Sequence, residues 1–238
     1  MSIEVDNLTK VYGAQKAIDG ISFVAQPGSV LGFLGPNGAG KSTTMKILTS
    51  YLTQTSGSAI VCGMDVSTHS MEVRRNIGYL PELNPLYLEL YVREALAFIA
   101  SIYQIKHPKK RIDELVELCG LGDAQNKKIN ALSKGYRQRL GIAQAIFSDP
   151  SVLILDEPSA GLDPNQVLSM RNLISELGKT KTVIVSTHIM QEVEAICGEI
   201  IIINRGKIVA NDNLISLKAA NQNKSLEEIF IGLTGPAN

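Results

Sequence analysis

The sequence has no excess of either charge. Twenty-three Lys and Arg are matched by twenty-three Asp and Glu, so the formal net charge is zero. That excludes the global basic field that steers a protein to nucleic acid or to an anionic membrane. Cysteine is scarce. Cys62, Cys119 and Cys197 are odd in number and far apart, which gives neither a metal-ligand spacing nor a disulfide framework and predicts buried thiols in a reducing cytosol. No run of about 18 apolar residues occurs, so no segment is predicted to span a bilayer. Work at a membrane would need another chain to supply the span. The opening MSIEVDNLTK carries acids and no apolar core, so no secretory signal is expected. Internal repeats, low-complexity tracts and sustained heptads are absent too, which excludes a solenoid or a long coiled coil.

What is present is the composition of a globular protein: 238 residues, 45% hydrophobic and 19% charged. Ile3, Val5 and Leu8 open a strand pattern, AIDGISFVA suggests a second strand, and PGSVLGFLG is a short apolar run ending in glycine. From Lys41 the spacing becomes helical, with Met45, Leu48 and Leu52 on one face. SGSAIVCG and NIGYLPE read as further strands, the second stopped by Pro81. Residues 88–148 read as helices almost alone, the third of them beginning near Tyr136. Strands return at SVLILD and KTVIVST, with the helix PNQVLSMRNLISEL between them. EIIIINRGKIVA predicts a hairpin turning at Arg205–Gly206, and Ser225 with Glu228 forms a capping box for a last helix. The expected organisation is one domain over 1–238. A helical lobe of about 88–148 interrupts a strand-helix core made of 1–87 and 149–220, and a C-terminal helix takes 221–238.

GPNGAGKST matches G-x-x-x-x-G-K-[ST] between a strand and a helix. Gly35, Gly38 and Gly40 let the backbone curl, so the loop that Pro36 opens can turn the N–H groups of Asn37, Gly38, Ala39, Gly40, Lys41, Ser42 and Thr43 inward on phosphate oxygens. The helix N-terminus adds partial positive charge. Lys41 is expected to reach the β and γ phosphates of ATP, and the Ser42 hydroxyl to ligate Mg²⁺. VLILDEP carries Asp156 to the C-terminal end of a buried strand, where α/β sheets place ligands. Asp156 is expected to hold Mg²⁺ through water. Glu157, the next residue along an extended chain, is free to orient and deprotonate a water near the γ-phosphate.

LSKGYRQRLGIAQAI closely precedes VLILDEPSAGLD. That order resembles the ATP-binding cassette (ABC) ATPases, whose signature turn reads LSGGQ or close to it. STH at Ser186–His188 matches the family's switch histidine, and KVYGAQKAI puts Tyr12 where the family often has an aromatic under adenine. The likeness runs from Tyr12 to about Gly206. It implies an α/β fold, a P-loop NTPase core of mainly parallel sheet with flanking helices, an N-terminal antiparallel β subdomain and an inserted helical lobe. It also implies two cassettes stacked head to tail. Ser133, Lys134 and Gly135 of one would then face the triphosphate of the other, with Asp163 at the dimer seam and His188 on the γ-phosphate or the attacking water. Two sites gaining two charge-assisted bonds each, at about 1.5–3 kcal/mol per bond, gross about 6–12 kcal/mol. Turning a two-state equilibrium takes about 5.5 kcal/mol, so γ-phosphate loss could reopen such a pair.

Two positions depart from the family pattern. Glu82 stands where a Gln usually contacts Mg²⁺ and water; a carboxylate can ligate the metal but, ionised, donates no hydrogen bond. Lys134 and Tyr136 replace Gly and Gln in the signature turn. The expected function is the ATPase subunit of a membrane transporter, peripheral on the cytoplasmic face. Its partners are a transmembrane permease and a second ATPase subunit, most simply a second copy, with no nucleic acid. Leu86, Tyr87, Leu88, Leu90 and Tyr91 are candidates for the permease-docking surface, and the tail SLEEIFIGLTG resembles those of export-type cassettes. The rival functions are a soluble ABC ATPase on DNA or ribosomes and a non-hydrolysing nucleotide sensor. One phosphate loop, no heptads and zero net charge count against the first. Glu157 and His188 count against the second.

Overall fold

The computed structural model describes residues 2–235, in which strands and helices form two sheets with helices around them. The first sheet is antiparallel. β1 (Ile3–Tyr12) and β2 (Gln15–Ala25) are followed, after β3 (Val30–Leu34) and α1 (Lys41–Leu48), by β4 (Ser56–Val61) and β5 (Met64–Asp65). β2, β1, β4 and β5 lie side by side in that order. Next come α2 (Ser70–Asn76) and β6 (Ile77–Leu80), then the helical stretch: α3 (Val92–Ile102), α4 (Lys109–Leu118) and α5 (Lys134–Ala145). The chain returns through β7 (Val152–Asp156), α6 (Pro164–Gly178), β8 (Thr182–Thr187) and α7 (Met190–Ile196). It closes with β9 (Glu199–Asn204), β10 (Lys207–Asn213), α8 (Leu214–Ala220) and α9 (Leu226–Thr234). The second sheet runs β10-β9-β3-β8-β7-β6, parallel throughout except for β10.

The continuous apolar runs are explained by cores on both faces of this sheet. In β7, Val152 and Ile154 pack toward the antiparallel sheet and α1, while Leu153 and Leu155 pack toward the lobe helices and α6. All four are fully buried, each burial worth roughly 1.5–3 kcal/mol. A strand buried on one face would alternate; one covered on both cannot. β3 divides in the same way, with Leu31 and Phe33 on one side and Leu34 on the other. The sheet therefore delivers β3, β7 and β8 side by side, and the loops after them open at one end.

Several local expectations are refined. α5 starts at Lys134, two residues before Tyr136, because Ser133 takes the cap and accepts from the Tyr136 N–H. The Arg205–Gly206 turn is present with both residues at positive φ, 47° and 79°, as a two-residue turn between right-twisted strands requires. Ser225 caps the last helix, with Glu228 reaching back to the Ser225 N–H at 2.9 Å. That helix spans Leu226–Thr234 rather than 221–238, since α8 ends at Ala220 and a turn intervenes; residues 236–238 lie outside the described residues. α2 and α7 were not anticipated; each is a seven-residue helix with too few turns to show periodicity. Cys119 and Cys197 are buried, and burial pushes both thiols up to about 12. Cys62 is only half-buried, beside the turn into β5, which corrects the expectation for that thiol.

Candidate active site

The loop from Gly35 to α1 is held by sterics as much as by hydrogen bonds. A Cβ on Gly35 would stand 2.5 Å from the Ile203 carbonyl oxygen, and one on Gly40 2.6 Å from that of Ala17. Gly40 also sits at φ 114°, a conformation L side chains avoid. The Ala39 carbonyl accepts from the Gly206 N–H at 2.9 Å, so the β9–β10 turn braces the loop from outside. The result is a cavity of about 340 Å³ lined by Ala17, Pro36, Asn37, Gly38, Gly40, Lys41, Ser42, Thr43, Glu82, Glu157, Ala160 and His188. Its floor receives the N-terminus of α1, where the first backbone N–H groups have no partner inside the helix.

Lys41 is only 6% exposed. Its Nζ donates to the Gly35 carbonyl at 2.7 Å and stands 3.8 Å from Glu157 Oε1. Burial pushes the lysine's pKa down, and the carboxylates of Glu157, Asp156 and Glu82 oppose that push. Glu157 is 7% exposed. It does not continue β7 in an extended conformation as the sequence suggested. It sits at φ 52°, in the left-handed region, and this turn brings its carboxylate onto Lys41 and His188. His188 Nδ1 lies 3.0 and 2.9 Å from the two Glu157 oxygens. Opposite an ionised carboxylate, which only accepts, that nitrogen donates. Asp156 is 2% exposed and accepts from Ser186 Oγ at 2.8 Å. It lies beside the cavity without lining it.

The other sequence candidates fall elsewhere. Gly35 and Ala39 are buried behind the loop. Tyr12 is 50% exposed, with Lys10 Nζ 5.2 Å over its ring, and does not line the cavity. Ser133, Lys134, Gly135 and Asp163 also lie outside it, in two turns packed on each other. A Cβ on Gly135 would stand 2.4 Å from Gln166 Oε1, and one on Gly161 2.6 Å from Lys134 Nζ. Asp163 caps α6, accepting from the Gln166 N–H at 3.0 Å, with Pro164 at the first helical position. Ala17 and Ala160 line the cavity and were missed, since alanine carries no chemical signal. Ser186 was noted only as part of STH; its hold on Asp156 is set by β7–β8 pairing.

A second hollow of about 740 Å³ lies between β6, α3 and α5, with Tyr51, Arg74, Tyr79, Tyr87, Phe98 and Tyr103 among its walls. Tyr87 meets Phe98 edge-on at 5.5 Å. Of the five candidate docking residues only Tyr87 lines it. Leu86 and Leu90 pack on the core half-buried, and Leu88 and Tyr91 are exposed outside the hollow.

No cluster of three or more His, Cys, Asp or Glu side chains that could hold a metal occurs among the described residues. Ser42, Asp156 and Glu82 still suit Mg²⁺ arriving with a nucleotide, because that ion keeps several waters and takes few protein oxygens. No described helix is long and apolar enough to cross a membrane.

Comparison with known proteins agrees with this geometry. The family model described as ABC transporter matches residues 18–160. The bacitracin transport ATP-binding protein BcrA of Bacillus licheniformis is 39% identical over 222 residues, covering 92% of this chain and 72% of that protein. The Nod factor export ATP-binding protein I of Paraburkholderia xenovorans is 34% identical over 232 residues, covering 96% and 76%. A solved structure described as the ATP binding subunit of an ABC transporter superposes with a TM-score of 0.88 at 28% identity, covering 98% of this chain and 99% of that one. The chain belongs to the ABC transporter family, as one of its ATP-hydrolysing cassettes.

Proposed function

We propose that this cassette drives an exporter, working as a head-to-tail pair of two copies bound at the cytoplasmic face to a transmembrane permease. The observation that carries its chemistry is the Glu157 carboxylate, buried at the cavity floor between Lys41 and His188 Nδ1. In this reading the glycine loop and Lys41 bind the triphosphate of ATP. Ser42, Asp156 and Glu82 would hold the Mg²⁺ that accompanies it, an ion that would supply neutralising charge at the phosphates. Glu157 accepts the proton of the attacking water, and His188 fixes the orientation of that carboxylate. Tyr12, exposed outside the cavity, offers a face on which the adenine would stack beyond it.

Ser133 and Gly135 complete the site of the second copy. Two features support that role: the signature turn lies outside its own cavity, and it leads into the N-terminus of the twelve-residue helix α5. Asp163, capping the helix packed on that turn, lies at the seam. Lys134 adds a cation there. The aromatic hollow beside β6 is the seat for a permease segment. It borders the strand that leads to Glu82, which gives docking a path to the nucleotide. Export as the direction is supported by similarity to proteins named for bacitracin transport and Nod factor export.

Steady-state ATP turnover tests the core of this reading. The chain should hydrolyse MgATP, and Glu157→Gln should abolish turnover while trapping an ATP-bound dimer on sizing chromatography. Turnover that survives Glu157→Gln, or ATP-loaded variant that runs only as monomer, overturns it. Purification from membranes with a multi-span protein, lost in Tyr87→Asp, tests the docking seat.

A further inference from the structure

Glu157 and His188 stand on separate turns, one after β7 and one after β8. A single backbone bond, from the Glu157 N–H to the Ser186 carbonyl at 2.9 Å, ties the two turns at their start. Behind them lies an acid that plays no part in the reaction as described. Glu192, on α7, is 2% exposed and does not line the cavity. Its Oε2 accepts from Thr187 Oγ1 at 3.1 Å, and that same hydroxyl oxygen accepts from the Ile189 N–H at 3.1 Å. The Glu192 N–H donates to the Ile189 carbonyl, also at 3.1 Å. Glu192 thus grips the chain on both sides of His188.

The Glu192 carboxyl is drawn toward its ionised form by the Ser159 and Thr187 hydroxyls and the more distant Arg171 on α6. Burial, the largest influence, works against them and raises the carboxyl above its usual range. Oε1 has no hydrogen-bond partner among the described residues. A buried, incompletely satisfied carboxyl is costly, and a leucine would fill this face of α7 without the cost. What the carboxyl supplies, and a leucine cannot, is an acceptor for the Thr187 hydroxyl beside His188.

We propose that Glu192 is a positioning residue for hydrolysis: through the Thr187 hydroxyl and the Ile189 backbone it holds the turn that carries His188, so that the imidazole meets the Glu157 carboxylate. This rests on the roles given to Glu157 and His188 above. Glu192 does not line the cavity and acts only through the turn that carries His188.

Three variants of the full chain test it. Glu192→Leu fills the space and removes the acceptor, Thr187→Val removes the hydroxyl from the other side, and Glu192→Gln keeps an acceptor without charge. Misplacing a reacting group by about 1 Å can cost about a hundredfold. On that scale Glu192→Leu and Thr187→Val should lower kcat by about tenfold or more with KM for MgATP within about twofold, and Glu192→Gln should stay within about threefold of the parent. An unchanged kcat in Glu192→Leu, a matching rise in KM, or an equal loss in Glu192→Gln overturns the proposal.

A second measurement needs no turnover. With only three histidines in the chain, ¹⁵N-histidine spectra of the nucleotide-free protein can report the His188 tautomer. The Nδ1-protonated form is expected in the parent and in Glu192→Gln, with a mixture in Glu192→Leu. Identical His188 signals in parent and Glu192→Leu overturn the proposal. A parent chain that fails to hydrolyse ATP would sink the proposed function and leave this measurement standing.

Discussion

The phosphate loop and the Ser133 turn are both glycine-bearing turns that enter a helix, yet the chain completes them to different degrees. In the first, Lys41, Asp156 and Glu157 are buried and meet partners supplied by the same chain. In the second, Ser133 and Lys134 are exposed, and the Ser133 hydroxyl's bond to the Tyr136 N–H is long, at 3.4 Å. Only Gly135 is buried, against Gln166. Buried polar groups must be paired where they stand. An exposed hydroxyl at a helix N-terminus can be left for an anion from outside. On the proposed function, the first turn is a site and the second is half of another copy's site.

The largest effect that could break this comparison is at Glu157. Glu157→Gln keeps the shape of the floor and removes the proposed base, so turnover should fall by about 10²–10⁴-fold with ATP binding retained; single-turnover hydrolysis checks it. Lys41→Ala removes a buried cation from the phosphate site and should weaken ATP binding by about tenfold to a hundredfold, at about 1.5–3 kcal/mol per charge-assisted bond, measured by equilibrium binding. Ser133→Ala sharpens the contrast: binding to the isolated subunit should hold, turnover should fall by about tenfold, and the lost cap should lower stability by about 1 kcal/mol. Weakened binding by monomeric Ser133→Ala would place that turn in its own chain's site instead. Glu82→Gln should shift the Mg²⁺ or pH dependence of turnover without abolishing it; unchanged profiles would show that Glu82 stands clear of the metal.

The smallest effect concerns the joint between lobe and core. The Lys181 ammonium, bonded to Asp149, holds that carboxyl below its usual range. A folded-state value below the unfolded one contributes stability above the unfolded value, and that contribution is lost as pH falls through the folded one. Asp149→Asn should therefore narrow the gap in Tm between about pH 7 and acid conditions slightly, because the aspartate is largely exposed and the pair is screened. Thermal scans at both pH values check it.

Much of the architecture was legible because the signals were local. β7 and β8 showed as unbroken apolar runs because both faces are covered, and the phosphate loop showed because its glycines are spaced for one backbone path. The Arg205–Gly206 hairpin was legible for the same reason, since positive φ at two successive residues has few solutions. α2 and α7 escaped because seven residues give a helical face no repeat to display. The turn at Glu157 escaped because nothing in DEPSAG announces that a glutamate will take a left-handed conformation; contacts with Lys41 and His188, 116 and 31 positions away in the chain, accompany it.

By itself, the sequence determined which polar groups would gather at the loop ends and which end of the sheet would carry them, since strand order along the chain and glycine spacing are fixed covalently. Only the tertiary structure decided which carboxylate oxygen faces which nitrogen. It also decided that Asp156 turns to Ser186, that Tyr12 stays out of the cavity, and that Glu192 lies behind His188. Those outcomes depend on parallel pairing of β3, β8 and β7 and on packing across residues distant in the chain. No local pattern encodes such distances, because they are set by how the two cores close on the sheet.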